Sequence, residues 1–154
     1  MDTVTVFTVC DRRFGLPPGS VERVLRAVAV TPLPNAPGVV RGVIDLHGEI
    51  VPVVDLRLRY GLPTRDIALD DRLLVARTPT RTVAILVEEV AGVVELDRSD
   101  VVEVGAIVPG TAHLRAVARL PDGIVLIQDL DAFLSFDEER LLDDALAARV
   151  ASTG

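Results

Sequence analysis

The sequence predicts an all-β chain, a barrel or a sandwich, followed by one C-terminal helix. Two patterns predict it. Up to about residue 130, short runs of Val, Ile, Leu and Thr recur at strand length, separated by Gly, Pro and Asp turn chemistry. After Ser135 the apolar period becomes helical.

The elements follow in order. TVTVFTVC sets Val4, Val6 and Val9 among threonines and reads as a strand, with Cys10 inside the run as a buried, inert thiol. DRR is a turn and FGL a short second strand. Pro-Pro-Gly at 17–19 breaks the chain. In VERVLRAVAV, Val21, Val24, Leu25 and Val28 also fit helical spacing. The short length and the proline-rich TPLPNAPG that follows favour a strand. VVRGVIDL and EIVPVVDL form a hairpin around His47-Gly48, and LRLRYGLP is a turn region. DRLLVARTPTRTVAILVEEV reads as two strands around Thr-Pro-Thr-Arg, and GVVEL as another short strand. HLRAVARL and GIVLIQDL flank the Pro121-Asp122-Gly123 turn. Ser135 with Glu138 makes a capping box. Leu142, Ala145, Leu146, Arg149 and Val150 then recur at helical spacing, with acids at the start and Arg149 near the end, before an STG tail that frays.

The 154 residues suit one domain. Apolar residues make up 49% and aromatics only 3%, so the core must be built from Val, Leu, Ile and Ala. The apolar runs are far shorter than a membrane span. MDTVTVFTVC has no basic segment ahead of a hydrophobic one, so no secretory signal is expected. A single cysteine excludes an internal disulfide and fits a reducing cytoplasm. A net charge of −7, with no basic run and few rings for stacking, argues against a nucleic-acid partner.

Catalytic chemistry finds little support. His47 and His113 are the only histidines, and with Cys10 they show no ligand spacing, so no metal or cofactor is expected. None of Ser20, Ser99, Ser135 and Ser152 sits in a nucleophile elbow, and no glycine-rich phosphate loop occurs. The adjacent acids Asp70-Asp71, Glu88-Glu89 and Asp143-Asp144 read as solvated surface. No catalytic residue is assigned, and the chain reads as a binding module.

Residues about 3 to 136 resemble the CheW domain of bacterial chemosensory adaptors. The resemblance rests on the segment Val21 to Val24, the loop TPLPNAP, GVIDLHG followed by EIVPVVDLR, then VAILVEEVAGVVEL and AVARLPDGIVLIQDLDAFL, all in the family's order. It implies two SH3-like five-stranded β-barrels sharing an apolar core, with the C-terminal helix and tail at 137–154. It also implies a non-enzymatic adaptor, a monomer in isolation, without direct membrane insertion. Such an adaptor works in the cytoplasm, recruited to membrane-bound receptor arrays. It joins the regulatory domain of a CheA-type histidine kinase to the cytoplasmic tip of chemoreceptors through small interfaces that depend on avidity.

By the same resemblance, the receptor-side candidates are Val21, Arg23, Val24, Asp45, His47, Ile85 and Val87. Core packing is the first reading for Val21, Val24, Ile85 and Val87. Gly42, Gly48 and Pro52 are turn or edge candidates, Pro52 because proline inside EIVPVV suggests an edge strand, and Gly42, Gly48 and Gly61 are read as turn or bulge glycines. The sequence departs from the family pattern at Arg23, where Glu is usual, and at His47, where Arg is usual. Asp45 replaces an Asn and is free to accept from Arg23 or His47. If the segment is a strand, Glu22 points to the opposite face and cannot stand in for the missing acid. Either these surface positions have drifted, or they change which partner is accepted. A divergent adaptor of a non-flagellar pathway, binding one partner or modulating array assembly, is the alternative within the fold. An enzyme or small-molecule binder on the same barrel would need a polar cleft.

Overall fold

The computed structural model describes residues 2–17, 19–26, 29–103 and 114–153. Its strands form two sheets. The six-stranded sheet draws on both ends of the chain: β1 (Asp2–Val9), β2 (Arg12–Leu16), β8 (Glu89–Leu96), β9 (Val101–Glu103), β10 (Leu114–Leu120) and β11 (Gly123–Gln128). Its spatial order is β8-β1-β2-β11-β10-β9. The middle of the chain forms the five-stranded sheet: β3 (Val21–Arg26), β4 (Val40–Leu46), β5 (Glu49–Asp55), β6 (Arg72–Arg77) and β7 (Thr82–Val87), ordered β3-β6-β7-β5-β4. Two helices complete the described residues, α1 (Leu56–Tyr60) and α2 (Phe136–Thr153), besides single 3-10 turns at Arg98–Asp100 and Leu130–Ala132. The chain is thus all-β in two units with a C-terminal helix, and β9 adds a sixth strand to one unit. Val28 and His113 lie outside the described residues.

Each sheet buries a cluster of its own. Val4, Val6, Ala118 and Val125 fill the six-stranded unit, and Ile44, Val51, Leu73 and Leu86 the five-stranded one. The largest cluster lies between them and takes Phe7 and Phe14 from one sheet, Val54 and Ile85 from the other. Strand β7 is buried along its whole length because both its faces are covered. Val83, Ile85 and Val87 enter the shared seam, while Ala84 and Leu86 enter their own sheet's cluster. A two-sided strand of this kind reads as a continuous apolar run, as VAILV does. Phe7 stacks on Phe14, 5.9 Å between centroids, and Phe14 meets Tyr60 in a tilted contact at 5.4 Å, so a line of rings runs through the seam.

Several local expectations change. LRLRYG is not a plain turn. Leu56–Tyr60 is one helical turn, capped by the Asp55 carboxylate accepting from Arg57 N–H and ended by Gly61 in the left-handed region. Cys10 is not in a strand. It sits with Asp11 at the two-residue β1–β2 turn, both with φ near +60°, and is only half-buried. Pro52 is buried on β5, which is an interior strand. Its ring is tolerated because pairing with β7 starts only at Val53, so no ladder partner awaits the missing N–H on that side. The capping box forms as expected: Ser135 N–H donates to Glu138 Oε1 at 2.9 Å and Glu138 N–H to Ser135 Oγ at 3.1 Å. Helix α2 continues to Thr153 rather than fraying at Ser152.

Gly42 is held by close backbone approach. Thr31 and Val43 exchange two backbone hydrogen bonds, at 2.9 and 2.8 Å, and the β4–β5 register shifts beside Gly42. A Cβ at Gly42 would collide with the Thr31 carbonyl, whereas one at Gly38 would meet nothing. Gly42→Ala is therefore expected to cost about 2 kcal/mol, and Gly38→Ala less than about 0.5 kcal/mol, in the midpoint of urea unfolding.

Candidate partner-docking surface

The β4–β5 hairpin presents its turn to solvent. Asp45, His47, Gly48, Glu49 and Ile50 are all exposed. His47 has φ +53° and Gly48 φ +90°, the positive pair that a two-residue hairpin turn requires. Histidine is among the side chains that tolerate this region. Asp45 Oδ1 accepts the Gly48 N–H at 2.7 Å and closes the turn. Its carboxylate is thereby committed to the hairpin itself, not to Arg23 or His47.

Strand β3 is an edge of the same sheet, and Glu22, Arg23 and Val24 are exposed on it. The register with β6 shifts between Val21 and Arg23, so strict alternation breaks at Glu22. The argument that Glu22 must face away from Arg23 therefore fails, since both are exposed. Val24, read first as core, is 46% exposed, and Val21 is half-buried against the seam. Strands β3 and β4 lie at the two ends of the sheet order, and no hydrogen bond or ion pair joins Arg23 to His47 among the described residues. Ile85 and Val87 are fully buried in the seam, and Gly42 and Pro52 are also buried. In the folded chain these four are interior residues and present no surface to a partner. The exposed candidates are Arg23, Val24, Asp45, His47 and Gly48.

Away from this turn, where β5 ends and the chain crosses between the sheets, lies a charge network that the sequence reading missed. Asp55 is fully buried. One of its oxygens takes Arg41 at 2.9 Å and the other the Arg57 backbone N–H at 2.9 Å. The Arg57 guanidinium, 3% exposed, pairs with Glu88. Glu88 also accepts the Cys10 N–H at 2.7 Å and lies 3.9 Å from Arg65. Arg65 in turn grips Asp71 with two bonds, at 2.7 and 2.9 Å. So Asp71 and Glu88 are not solvated surface. Their sequence neighbours Asp70 and Glu89 are the exposed members of each pair. The one available signal was Asp55 itself, a carboxylate closing an apolar strand just before a helical turn.

Burial pushes the Asp71 carboxyl up, but the Arg65 hydrogen bonds, the Ala68 N–H and the Arg65 and Arg57 charges outweigh it and hold it below the ordinary carboxylate range. Burial pushes the Tyr60 phenol up against the opposing effect of its hydrogen bond with Gln128, which spans the seam at 3.0 Å. Among the described residues, no group of His, Cys, Asp and Glu is placed to hold a metal. Among the described residues, an open cleft of about 240 Å³ in the six-stranded unit has Glu103 and Arg115 as its charged lining residues. It lacks the convergent polar set of a small-molecule site.

Known proteins place this geometry. Residues 3–138 match the model of the CheW-like domain. The chain is 26% identical over 143 residues to the chemotaxis protein CheW of Klebsiella aerogenes, covering 90% of this chain and 85% of that one. Protein FrzA of Myxococcus xanthus is 34% identical over 95 residues, 62% of this chain and 59% of its own. The crystal structure of the scaffolding protein CheW from Thermoanaerobacter tengcongensis superposes with a TM-score of 0.78 at 25% identity, over 89% of this chain and 94% of that one.

Two outcomes follow from the network. Glu88→Gln removes the nearer of the two carboxylates that face buried Arg57, leaving only Asp55 at 4.0 Å, and is expected to cost about 2 kcal/mol, while Glu89→Gln next to it stays within about 0.5 kcal/mol, both by urea unfolding. Asp71 has a lowered folded-state pKa, so its contribution is complete above the ordinary carboxylate range and is lost as pH falls through the folded value. Stability measured against pH should therefore fall less steeply on the acid side in Asp71→Asn than in the parent.

Proposed function

Because the chain belongs to the CheW-like domain family, we propose that it is a non-enzymatic chemosensory adaptor coupling chemoreceptors to a CheA-type histidine kinase. The observation that carries this reading is the extent of the match, which spans both sheets from residue 3 to residue 138. The partners in this proposal are the kinase's regulatory domain and the cytoplasmic tip of the receptors. The adaptor would act in the cytoplasm and be recruited to receptor arrays. No helix among the described residues is long and apolar enough to cross a membrane.

The geometry supports docking at exposed elements rather than chemistry in a cleft. The β3 edge offers Arg23 beside Val24, and the hairpin turn offers His47 beside Ile50, 40% exposed. Each combines one charge-bearing or titratable group with one apolar anchor, a pairing suited to a helical partner surface. A second reading is altered partner choice. It is favoured by Arg23 and His47 standing exposed where the family usually has Glu and Arg. Rim charges of this kind set specificity more than affinity.

The test is a reconstituted assay with cognate receptor and kinase, with and without the adaptor. Receptor-controlled kinase activity should rise when it is added; unchanged activity and coupling would show the adaptor reading to be wrong. Arg23→Glu with His47→Arg should raise affinity for partners of ordinary family members by up to about five-fold per restored exposed pair. Full binding of those partners by the unmodified chain sinks the altered-choice reading.

A further inference from the structure

Helix α2 follows the six-stranded sheet in the chain, yet its polar contacts with other elements reach chiefly into the five-stranded unit. Arg59, on α1 just after β5, lies 3.2 Å from Glu138. Arg81, in the β6–β7 turn, bonds Glu139 at 2.8 Å and also pairs with Asp143. The Thr80 hydroxyl of the same turn donates to Glu139 at 2.9 Å. Glu139 and Asp143 are four residues apart, so they stand on one helix face and a single guanidinium can hold both. On the same helix, Leu142 is fully buried and Ala145 nearly so, both in the seam cluster with Phe133 and Leu134. The flanking Phe136 and Leu141 face solvent, at 76% and 49% exposure. The match to the family domain stops at residue 138, so most of this grip lies beyond it.

These observations describe a narrow attachment. One apolar ridge enters the seam, and the rest is ionic, with Asp143 largely in water. Each sheet keeps a separate cluster without α2 residues, and the helix adds only Leu142 and Ala145 to the buried residues of the larger seam cluster. We infer that α2 is an ionic strap across the two units, latched by Arg81 between Glu139 and Asp143, and that it opens as a unit while both sheets stay folded. Opening would uncover the Phe133–Leu134 side of the seam and release the link between the six-stranded sheet's C-terminus and the β6–β7 turn. This inference is independent of the adaptor reading.

Amide hydrogen exchange on the full chain tests it, comparing α2 with β7. In Arg81→Ala, α2 amides should exchange about two- to thirty-fold faster, the range expected for two lost ion pairs, with β7 amides unmoved. Raising salt from about 0.05 to about 0.5 M should accelerate α2 in the parent and have little further effect in the variant. The double variant Glu139→Gln with Asp143→Asn leaves the β6–β7 turn intact and should reproduce the acceleration, so a misfolded Arg81→Ala does not end the test. If α2 is as protected as β7 in the parent, or the two change only together, the helix opens solely by global unfolding and the strap does not exist.

Discussion

Glu88 stands where the chain leaves one sheet and enters the other. Strand β7 ends at Val87 and β8 begins at Glu89. At that crossing the Glu88 N–H donates to the Thr8 carbonyl, and its carboxylate takes Arg57 and the Cys10 N–H. The β1–β2 turn belongs to one unit and Arg57 to the other, so one side chain ties the two units together at their crossing. Taking charges out of water costs several kcal/mol per ion, and only dense hydrogen bonding offsets it. Arg41, Arg57 and Arg65 face Asp55, Asp71 and Glu88, so the charges balance and most of their polar atoms are used. Such a network adds little net stability over an apolar core, but a half-broken one is costly, and this restricts the chain to one arrangement.

The seam depends on that arrangement. Val83, Ile85 and Val87 meet Phe7 and Phe14 only if β7 reaches the crossing in the right register. The α1 turn, capped by the same Asp55 that binds Arg41, swings Tyr60 onto Phe14 and its hydroxyl onto buried Gln128 of β11. Gln128 would otherwise be a buried amide at the end of a strand, with the cost of an unmade bond. So the ionic network, the helical turn and the aromatic stack form one connected support under the five-stranded unit.

Sequence reading recovered what local periodicity carries. The strands, the His47-Gly48 and Pro121-Asp122-Gly123 turns and the Ser135–Glu138 capping box all depend on neighbours within a few residues. What it missed depends on partners far along the chain. Asp71 and Asp70 are indistinguishable in the sequence; only Arg65 and the Ala68 N–H, brought close by the loop, select one of them for burial. Glu88 is selected over Glu89 by Arg57 and Cys10, far away in sequence. Five residues of LRLRY are too few for a helical period to show. Ile85 and Val87 read both as core and as receptor-side candidates because a fully apolar strand does not say whether its second face meets another sheet or a partner. Pro52 looked like an edge marker because the sequence cannot show that β7 begins pairing one residue later.

The division of labour between buried and exposed charges bears on how such a surface changes. Asp55, Arg57, Asp71 and Glu88 are tied into the network, so replacing any one of them leaves a partner stranded. The side chains of Arg23 and His47 carry no hydrogen bond or ion pair among the described residues, and the Asp45 carboxylate closes its own turn. Substitution at exposed, unpaired positions typically moves stability by less than about 0.5 kcal/mol. The same substitution at a docking rim changes association rate and partner choice. Side-chain contacts within the chain therefore constrain neither position, while the positive φ at His47 still restricts which residues that turn accepts.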